Sequence, residues 1–180
     1  KLTDRIQAIT QKGENREHDG LRFVAYSINQ KIEQMDQGVE YYNRRIALDP
    51  KDASAYQLRS SFYMLQKNYD AAMKDLEMAI ALDPKNVRNY NNRGILYKTA
   101  KKYSEALAEF DRAIALDPNY SDAYSSRGIL YFMQGRFQES MDDLNVAIRL
   151  NPKNFGAYNN RGNLYLIQGR VFKALQDFDT

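Results

Sequence analysis

The chain has 180 residues, of which 43% are hydrophobic and 27% are charged, and its formal net charge is +3. The hydrophobic share is enough for one continuous core, and so small a net charge gives no argument by itself for binding nucleic acid. The sequence has no cysteine, which excludes disulfides and thiolate metal sites and fits a reducing compartment such as the cytoplasm. The apolar runs are too short to span a membrane.

Residues 1–18 contain one apolar stripe at helical spacing. Leu2, Ile6 and Ile9 would share a helix face before Gly13, so this segment is predicted to be an N-terminal helix or extension. His18, the only histidine, lies in a polar stretch. It is predicted to be a solvated loop residue rather than a metal ligand or a base.

A fixed period of 34 residues runs through the rest of the chain. Its clearest mark is proline, which each time follows a leucine and then an aspartate or asparagine: Pro50, Pro84, Pro118 and Pro152. Repeats of this length are typical of stacked helical arrays, in which each repeat buries its apolar face against its neighbours. The period divides the chain into repeats at residues 53–86, 87–120 and 121–154, and a truncated repeat at 155–180.

Residues 19–52 end in the same phrase as the later repeats but depart from them at several positions. Arg22 replaces a recurring tyrosine, Tyr26 replaces a small residue, and Gly38 replaces an alanine. We interpret this segment as a degenerate first repeat, because the capping repeat at the end of an array is commonly atypical.

Within each repeat, apolar and small side chains recur at helical spacing. In residues 87–120, Tyr90, Gly94 and Tyr97 share one face of a predicted first helix, and Ala106 and Phe110 share one face of a second. A short polar break separates the two stretches, and proline ends the second. Each repeat is therefore predicted to be two antiparallel helices, with small residues where their backbones approach closely.

These tyrosine, glycine, alanine, phenylalanine and proline positions resemble the tetratricopeptide repeat, and four repeats match in register over residues 53–180. Tyrosine stands where the family commonly has tryptophan, and arginine where leucine is common. The resemblance implies an all-α fold, a right-handed α-solenoid (a superhelix) of stacked antiparallel helix pairs. It also implies a non-catalytic scaffold for protein–protein interaction.

An arginine and an acid recur sixteen residues apart in every full or truncated repeat. The predicted partners are Arg59 with Asp75, Arg93 with Glu109, Arg127 with Asp143, and Arg161 with Asp177. Residues 19–52 have Ala25 and Tyr41 at the two places, so both charges are missing there together. We predict an ion pair that joins the two helices of each repeat.

The sequence contains no pattern that indicates catalysis, a metal or a cofactor. Without cysteine there is no thiolate nucleophile, and the glycines lie at helix-packing positions rather than in a phosphate-binding motif. Acidic neighbours such as Asp142 and Asp143 lie on periodic helices, where they are interpreted as solvated faces or ion-pair partners. The chain is therefore predicted not to be an enzyme.

In the tetratricopeptide family the first helix of each repeat lines a concave groove. The resemblance therefore implies that a peptide or helical segment binds along Gln57, Ser61, Met64, Arg88, Asn91, Asn92, Ile95, Lys98, Asp122, Ser126, Ile129, Phe132, Asn159, Asn160 and Asn163. Asparagine amides can pair with an extended peptide backbone, and apolar side chains suit the apolar face of a helix. The lysine, asparagine and arginine set that holds chaperone C-termini in this family is not matched, because Asp122 stands where it would repel a carboxylate.

Three alternatives stay open. The chain would serve as a substrate-recruiting arm of a larger enzyme, since the last repeat ends at Thr180, inside its second helix. It would associate with itself through that C-terminal edge. RNA binding is less favoured, because the scattered lysines near the turns lack an aromatic stacking pattern.

Overall fold

The computed structural model describes residues 17–180, with side chains from residue 27 onward. This part of the chain folds into nine α-helices and contains no β-strand. In chain order they are α1 (Glu17–Leu48), α2 (Ala53–Leu65), α3 (Tyr69–Leu82), α4 (Val87–Thr99), α5 (Tyr103–Leu116), α6 (Ser121–Met133), α7 (Phe137–Leu150), α8 (Phe155–Ile167) and α9 (Val171–Phe178). The all-α prediction is confirmed, and each later repeat contains two of these helices.

The chain separates into two compact units, Lys1–Asp75 and Leu76–Thr180, which we call the N-terminal unit and the C-terminal unit. In the N-terminal unit, α1 packs along α2. Gly38 of α1 leaves room for the ring of Phe62, which a side chain at position 38 would overlap. Packing of α1 therefore uses the same pairing of a small and a large residue that the later repeats show.

The first helix differs from the sequence prediction. Residues 19–48 lie in one continuous helix of 32 residues that begins at Glu17, with no break between two shorter helices. The later breaks contain a residue with left-handed backbone, such as Gly135 at φ 74°. The corresponding place in α1 is Glu33, within a run of good helix formers that lacks glycine, so the helix continues. His18 also lies in α1, so the loop predicted for it is wrong, and residues 1–16 lie outside the described residues.

Three helix pairs stack in chain order in the C-terminal unit. The helices of the pairs α4–α5, α6–α7 and α8–α9 pack together, and the second helix of one pair packs against the first helix of the next. First helices also contact one another, α4 with α6 and α6 with α8. Between them the side chains of Phe110, Leu130, Leu144 and Leu164 are fully buried. The first helices therefore stand side by side, as a shared binding face requires.

Close approach within a pair depends on glycine in the first helix. A Cβ atom on Gly94 would lie 2.5 Å from Cε1 of Phe110, and one on Gly162 would lie 2.5 Å from Cε1 of Phe178. Both distances are far below van der Waals contact. The missing side chain of the recurring glycine therefore makes room for the phenylalanine ring between the two helices.

The phrase that ends at each proline forms a turn fixed by its own side chain. Asp83, Asp117 and Asn151 accept a hydrogen bond through Oδ1 from the backbone N–H two residues on, at 3.2, 2.9 and 3.0 Å. The hydroxyl of Tyr90 donates to the carbonyl of Pro84 at 2.9 Å. Tyrosine at this position therefore ties the first helix of a pair to the turn before it.

Candidate functional site

Each recurring arginine joins the two helices of its pair, as predicted. The guanidinium of Arg127 donates from Nε and Nη2 to the two carboxylate oxygens of Asp143, at 2.7 and 2.8 Å. The other predicted partners also form ion pairs with N–O distances of 2.6 to 2.8 Å: Arg59–Asp75, Arg93–Glu109 and Arg161–Asp177. These contacts confirm the ion-pair prediction.

The arginines also reach back to the preceding helix pair, a contact that the sequence pattern did not predict. Nη1 of Arg127 donates to Oδ1 of Asp111 at 2.6 Å, and Nη1 of Arg161 donates to Oδ1 of Asn145 at 2.8 Å. Each acceptor lies sixteen residues before its arginine, so the same spacing read backwards along the sequence would have found it. Arg127 and Arg161 thus stabilise both the pair and the stack.

Tyrosine rings enclose these guanidinium groups. Cζ of Arg127 lies 5.7 Å from the ring centroid of Tyr124 and 5.8 Å from that of Tyr131. The hydrogen bond to Asp143 raises the pKa of Arg127, against the opposing effect of burial. Because its donors are engaged within the array, this arginine is a structural group rather than a ligand-binding one.

The residues predicted for the groove lie on α2, α4, α6 and α8 and differ in exposure. Three are exposed: Arg88, Asp122 and Asn159. Ten are half-buried: Gln57, Ser61, Met64, Asn92, Ile95, Lys98, Ile129, Phe132, Asn160 and Asn163. Asn91 and Ser126 are buried, at 4% and 8% exposure, which leaves them little surface for a ligand.

Three of the groove residues, Gln57, Ser61 and Met64, belong to the N-terminal unit. The structure brings the other predicted residues together on the three adjacent helices α4, α6 and α8 of the C-terminal unit. We call the exposed and half-buried members of that set the first-helix face: Arg88, Asn92, Ile95, Lys98, Asp122, Ile129, Phe132, Asn159, Asn160 and Asn163.

Two titratable groups near the first-helix face are shifted by burial. Desolvation lowers the pKa of Lys98, which makes no salt bridge within the described residues and stands where other repeats have Met64, Phe132 and Leu166. Burial and the neighbouring carboxylate of Asp122 raise the pKa of Tyr120 to about 12. An anionic group placed beside Lys98 would restore the ordinary pKa of its amine.

A sequence model of the ETO1 C-terminal domain matches residues 4–173. The chain belongs to the ETO1 C-terminal domain family. No curated protein matches the sequence. The family match and the helix pairs described above agree with the tetratricopeptide resemblance found in residues 53–180.

Solved structures place the fold among tetratricopeptide repeat proteins. The thermophilic repeat protein TTC0263 of Thermus thermophilus matches with a TM-score of 0.74 and 18% identity, over 85% of this chain and 84% of that chain. A tetratricopeptide repeat protein of Parabacteroides merdae has a TM-score of 0.68 and 21% identity, over 98% of this chain and 70% of that chain. The first repeat domain of Spaghetti (RPAP3), bound to an HSP90 peptide, has a TM-score of 0.60 and 28% identity, over 67% of this chain and 96% of that chain.

The family and the fold support a protein-interaction scaffold. Among the side chains that the structure describes, residues 27–180, no cluster of histidine, cysteine, aspartate or glutamate could hold a metal ion. None of the helices described there combines the length and apolar character of a membrane span.

Proposed function

We propose that the chain binds a peptide or helical segment of a partner protein along the first-helix face. The main observation that supports this proposal is that α4, α6 and α8 lie side by side and carry both amide and apolar side chains. The Spaghetti domain, which shares 28% identity, is bound to an HSP90 peptide, which supports this use of the fold.

The amides that would pair with a peptide backbone are those of Asn92 on α4 and Asn160 on α8. Nδ2 of Asn160 donates to the carbonyl of Gly156 at 2.6 Å, so the amide keeps one N–H and its oxygen for a ligand. Between them, Ser126 of α6 is nearly buried and contributes little. Ile129 and Phe132, both half-buried, offer apolar contact on α6 instead.

A displayed peptide library selected on the full chain would supply ligands for a test. The double variant Asn92→Ala with Asn160→Ala should weaken a selected peptide by about tenfold, because each lost hydrogen bond contributes about 0.5–1.5 kcal/mol. Asn119→Ala, which removes an exposed amide in the turn before α6, is the matched control and should leave affinity unchanged. Equal affinity of all three proteins would remove the amides from the mechanism, and a library without binders would reject the proposed function.

A further inference from the structure

An open cavity of ≈ 580 Å³ lies between α7 and the turn that joins α8 to α9, and none of its lining residues belongs to the first-helix face. Its lining is mostly polar, with three side-chain amides, one guanidinium, one tyrosine and one methionine: Gln138, Met141, Asn145, Tyr165, Gln168 and Arg170. We call it the α7–α9 cavity.

At the equivalent junction one repeat earlier, an arginine lies over a tyrosine ring. Cζ of Arg136 lies 4.1 Å from the ring centroid of Tyr131, and its Nε donates to Oε1 of Glu139 at 2.9 Å. Arg136 and Tyr131 precede Arg170 and Tyr165 by one period of 34 residues. The carboxylate of Glu139, on α7, therefore holds the guanidinium of Arg136 over the ring of Tyr131.

Two charge differences separate the two junctions. Asn145 stands where the preceding repeat has Asp111, and Lys173 stands where the two preceding repeats have Glu105 and Glu139, so Arg170 has a like charge instead of a carboxylate three residues on. Nζ of Lys173 lies 5.6 Å from the centroid of Tyr165, the ring that an arginine covers one repeat earlier. Arg170 forms no salt bridge within the described residues and lines the cavity instead. Arg170 is therefore the one cation among the residues that line the cavity, and Lys173 lies beside it, near the ring of Tyr165.

The remaining polar groups suit an anion. Oδ1 of Asn145 accepts from Arg161 at 2.8 Å, which leaves its N–H groups as donors. On α7, the acid Asp142 accepts through Oδ1 from Nε2 of Gln138 at 3.0 Å. Beside the cavity, the side chain of Phe172 is 86% exposed at a position where Gln138, Ser104 and Asp70 are the equivalents.

We propose that the α7–α9 cavity is a second binding site, which takes a glutamate or aspartate side chain of a partner protein. Arg170 binds the carboxylate through its guanidinium fork, and Lys173 adds a second positive charge. Phe172 contacts an apolar residue next to that acid. Charge complementarity fixes the occupant as an acidic segment that carries an adjacent apolar residue. The site does not depend on the first-helix face.

A fluorescent peptide with two adjacent glutamates and a phenylalanine, in a glycine–serine background, is the probe. Its affinity for the full chain is measured by fluorescence anisotropy. Replacing both glutamates by glutamine should weaken binding at least about tenfold, as loss of a charge pair with a guanidinium does. Saturable binding of the glutamate peptide is expected. Its absence, or equal binding of the glutamine peptide, would overturn the proposal.

Charge reversal in the protein gives the sharper test. Lys173→Glu restores the carboxylate of the earlier repeats, so Arg170 should fold over Tyr165, and peptide binding should weaken about tenfold. Glu139→Lys should free Arg136 and add a second, weaker site, because Gln138 stands there in place of Phe172 and Asp111 in place of Asn145. Lys153→Glu, an equal charge change on an exposed turn, and Lys98→Met, which neutralises the first-helix face, should each leave affinity within about twofold.

Three results would contradict this assignment. Equal weakening by Lys173→Glu and Lys153→Glu would mean general electrostatic attraction. Competition by inorganic phosphate as strong as by free peptide would make the cavity a site for small anions. Self-association of the chain in sedimentation that Lys173→Glu abolishes would make a second copy the occupant.

Discussion

The helix pairs α4–α5 and α6–α7 share the same lengths, 13 and 14 residues, but differ in how completely their polar groups are paired. In α6–α7, Arg127 uses Nε and Nη2 on Asp143 and Nη1 on Asp111. In α4–α5, Arg93 donates only from Nη2 to both oxygens of Glu109, at 2.8 and 3.0 Å, and its Nε is buried without a partner.

A glutamate is one methylene longer than an aspartate, and this length explains the difference. The longer side chain carries its carboxylate past the fork formed by Nε and Nη2, so both oxygens meet the terminal nitrogen alone. The array tolerates glutamate in place of aspartate in one repeat, because each repeat contacts only its neighbours. An array can therefore keep its backbone while one repeat contains a buried guanidinium nitrogen without a hydrogen-bond partner.

The largest expected effect comes from removing the better-paired acid. Asp143→Asn should lower the free energy of unfolding by about 3 kcal/mol, because Arg127 loses the carboxylate that accepts from Nε and Nη2 and keeps only Asp111 as a charge partner. Glu109→Gln should cost less, about 2 kcal/mol, since Arg93 uses only one nitrogen there. Unfolding in urea with an unchanged slope measures both.

The control for this pair of variants is Asp142→Asn, which changes an exposed carboxylate next to the ion pair. It should move stability by less than about 0.5 kcal/mol. Equal losses in Asp143→Asn and Glu109→Gln would show that the second hydrogen bond of the fork contributes nothing.

A smaller effect of opposite sign is expected at Asn89. This side chain is 0% exposed, and neither its Oδ1 nor its Nδ2 has a hydrogen-bond partner. The equivalent residue of α6 is Ala123, also fully buried. Asn89→Ala should therefore raise the free energy of unfolding by about 2 kcal/mol, and Ala123→Asn should lower it by a similar amount.

Thermal and urea unfolding of both variants would check this expectation. A loss of stability in Asn89→Ala would mean that a buried water or another polar group satisfies the amide. In that case α4–α5 and α6–α7 would differ only in how their arginines, Arg93 and Arg127, are hydrogen-bonded.

The smallest effect is expected at the turn within each pair. Lys101 holds φ at 59° in the α4–α5 turn, whereas Gly135 holds φ at 74° in the α6–α7 turn. A side chain in this backbone region is strained, so Lys101→Gly should gain about 0.5–1 kcal/mol, and Gly135→Lys should lose as much. A Cβ atom on Gly135 would meet nothing within 4 Å, so backbone strain is the whole cost. Stability of the two variants moving in the same direction would contradict this reasoning.

Much of the fold was predictable because its signals recur in every repeat. The tyrosine and proline positions and the arginine–acid spacing appear four times and the glycine three times, and this repetition separates them from chance. The acceptors Asp111 and Asn145 recur less regularly, since one is an acid and the other an amide. Their shared role became visible only when the helices were placed beside each other.

Features that depart from the period were the ones that sequence reasoning missed. The continuous helix α1 arises because Glu33 and its neighbours favour helix, where a later repeat would have a turn residue. Around the α7–α9 cavity the last repeat departs from the preceding one, with Asn145 in place of Asp111 and Lys173 in place of Glu139. Burial of Asn91 and Ser126 follows from packing between α4, α6 and α8, which the spacing of residues along one helix does not determine.

Arg127 donates to Asp143, sixteen residues after it, and to Asp111, sixteen residues before it. The number of residues between these positions is therefore fixed. One residue added between Pro118 and Arg127 would turn the guanidinium by about 100° around α6 and break all its bonds at once. If a complete 34-residue segment were gained or lost, each arginine would still have acceptors at the equivalent positions. Such an array tolerates duplication or deletion of complete repeats, but not small insertions within the first helices.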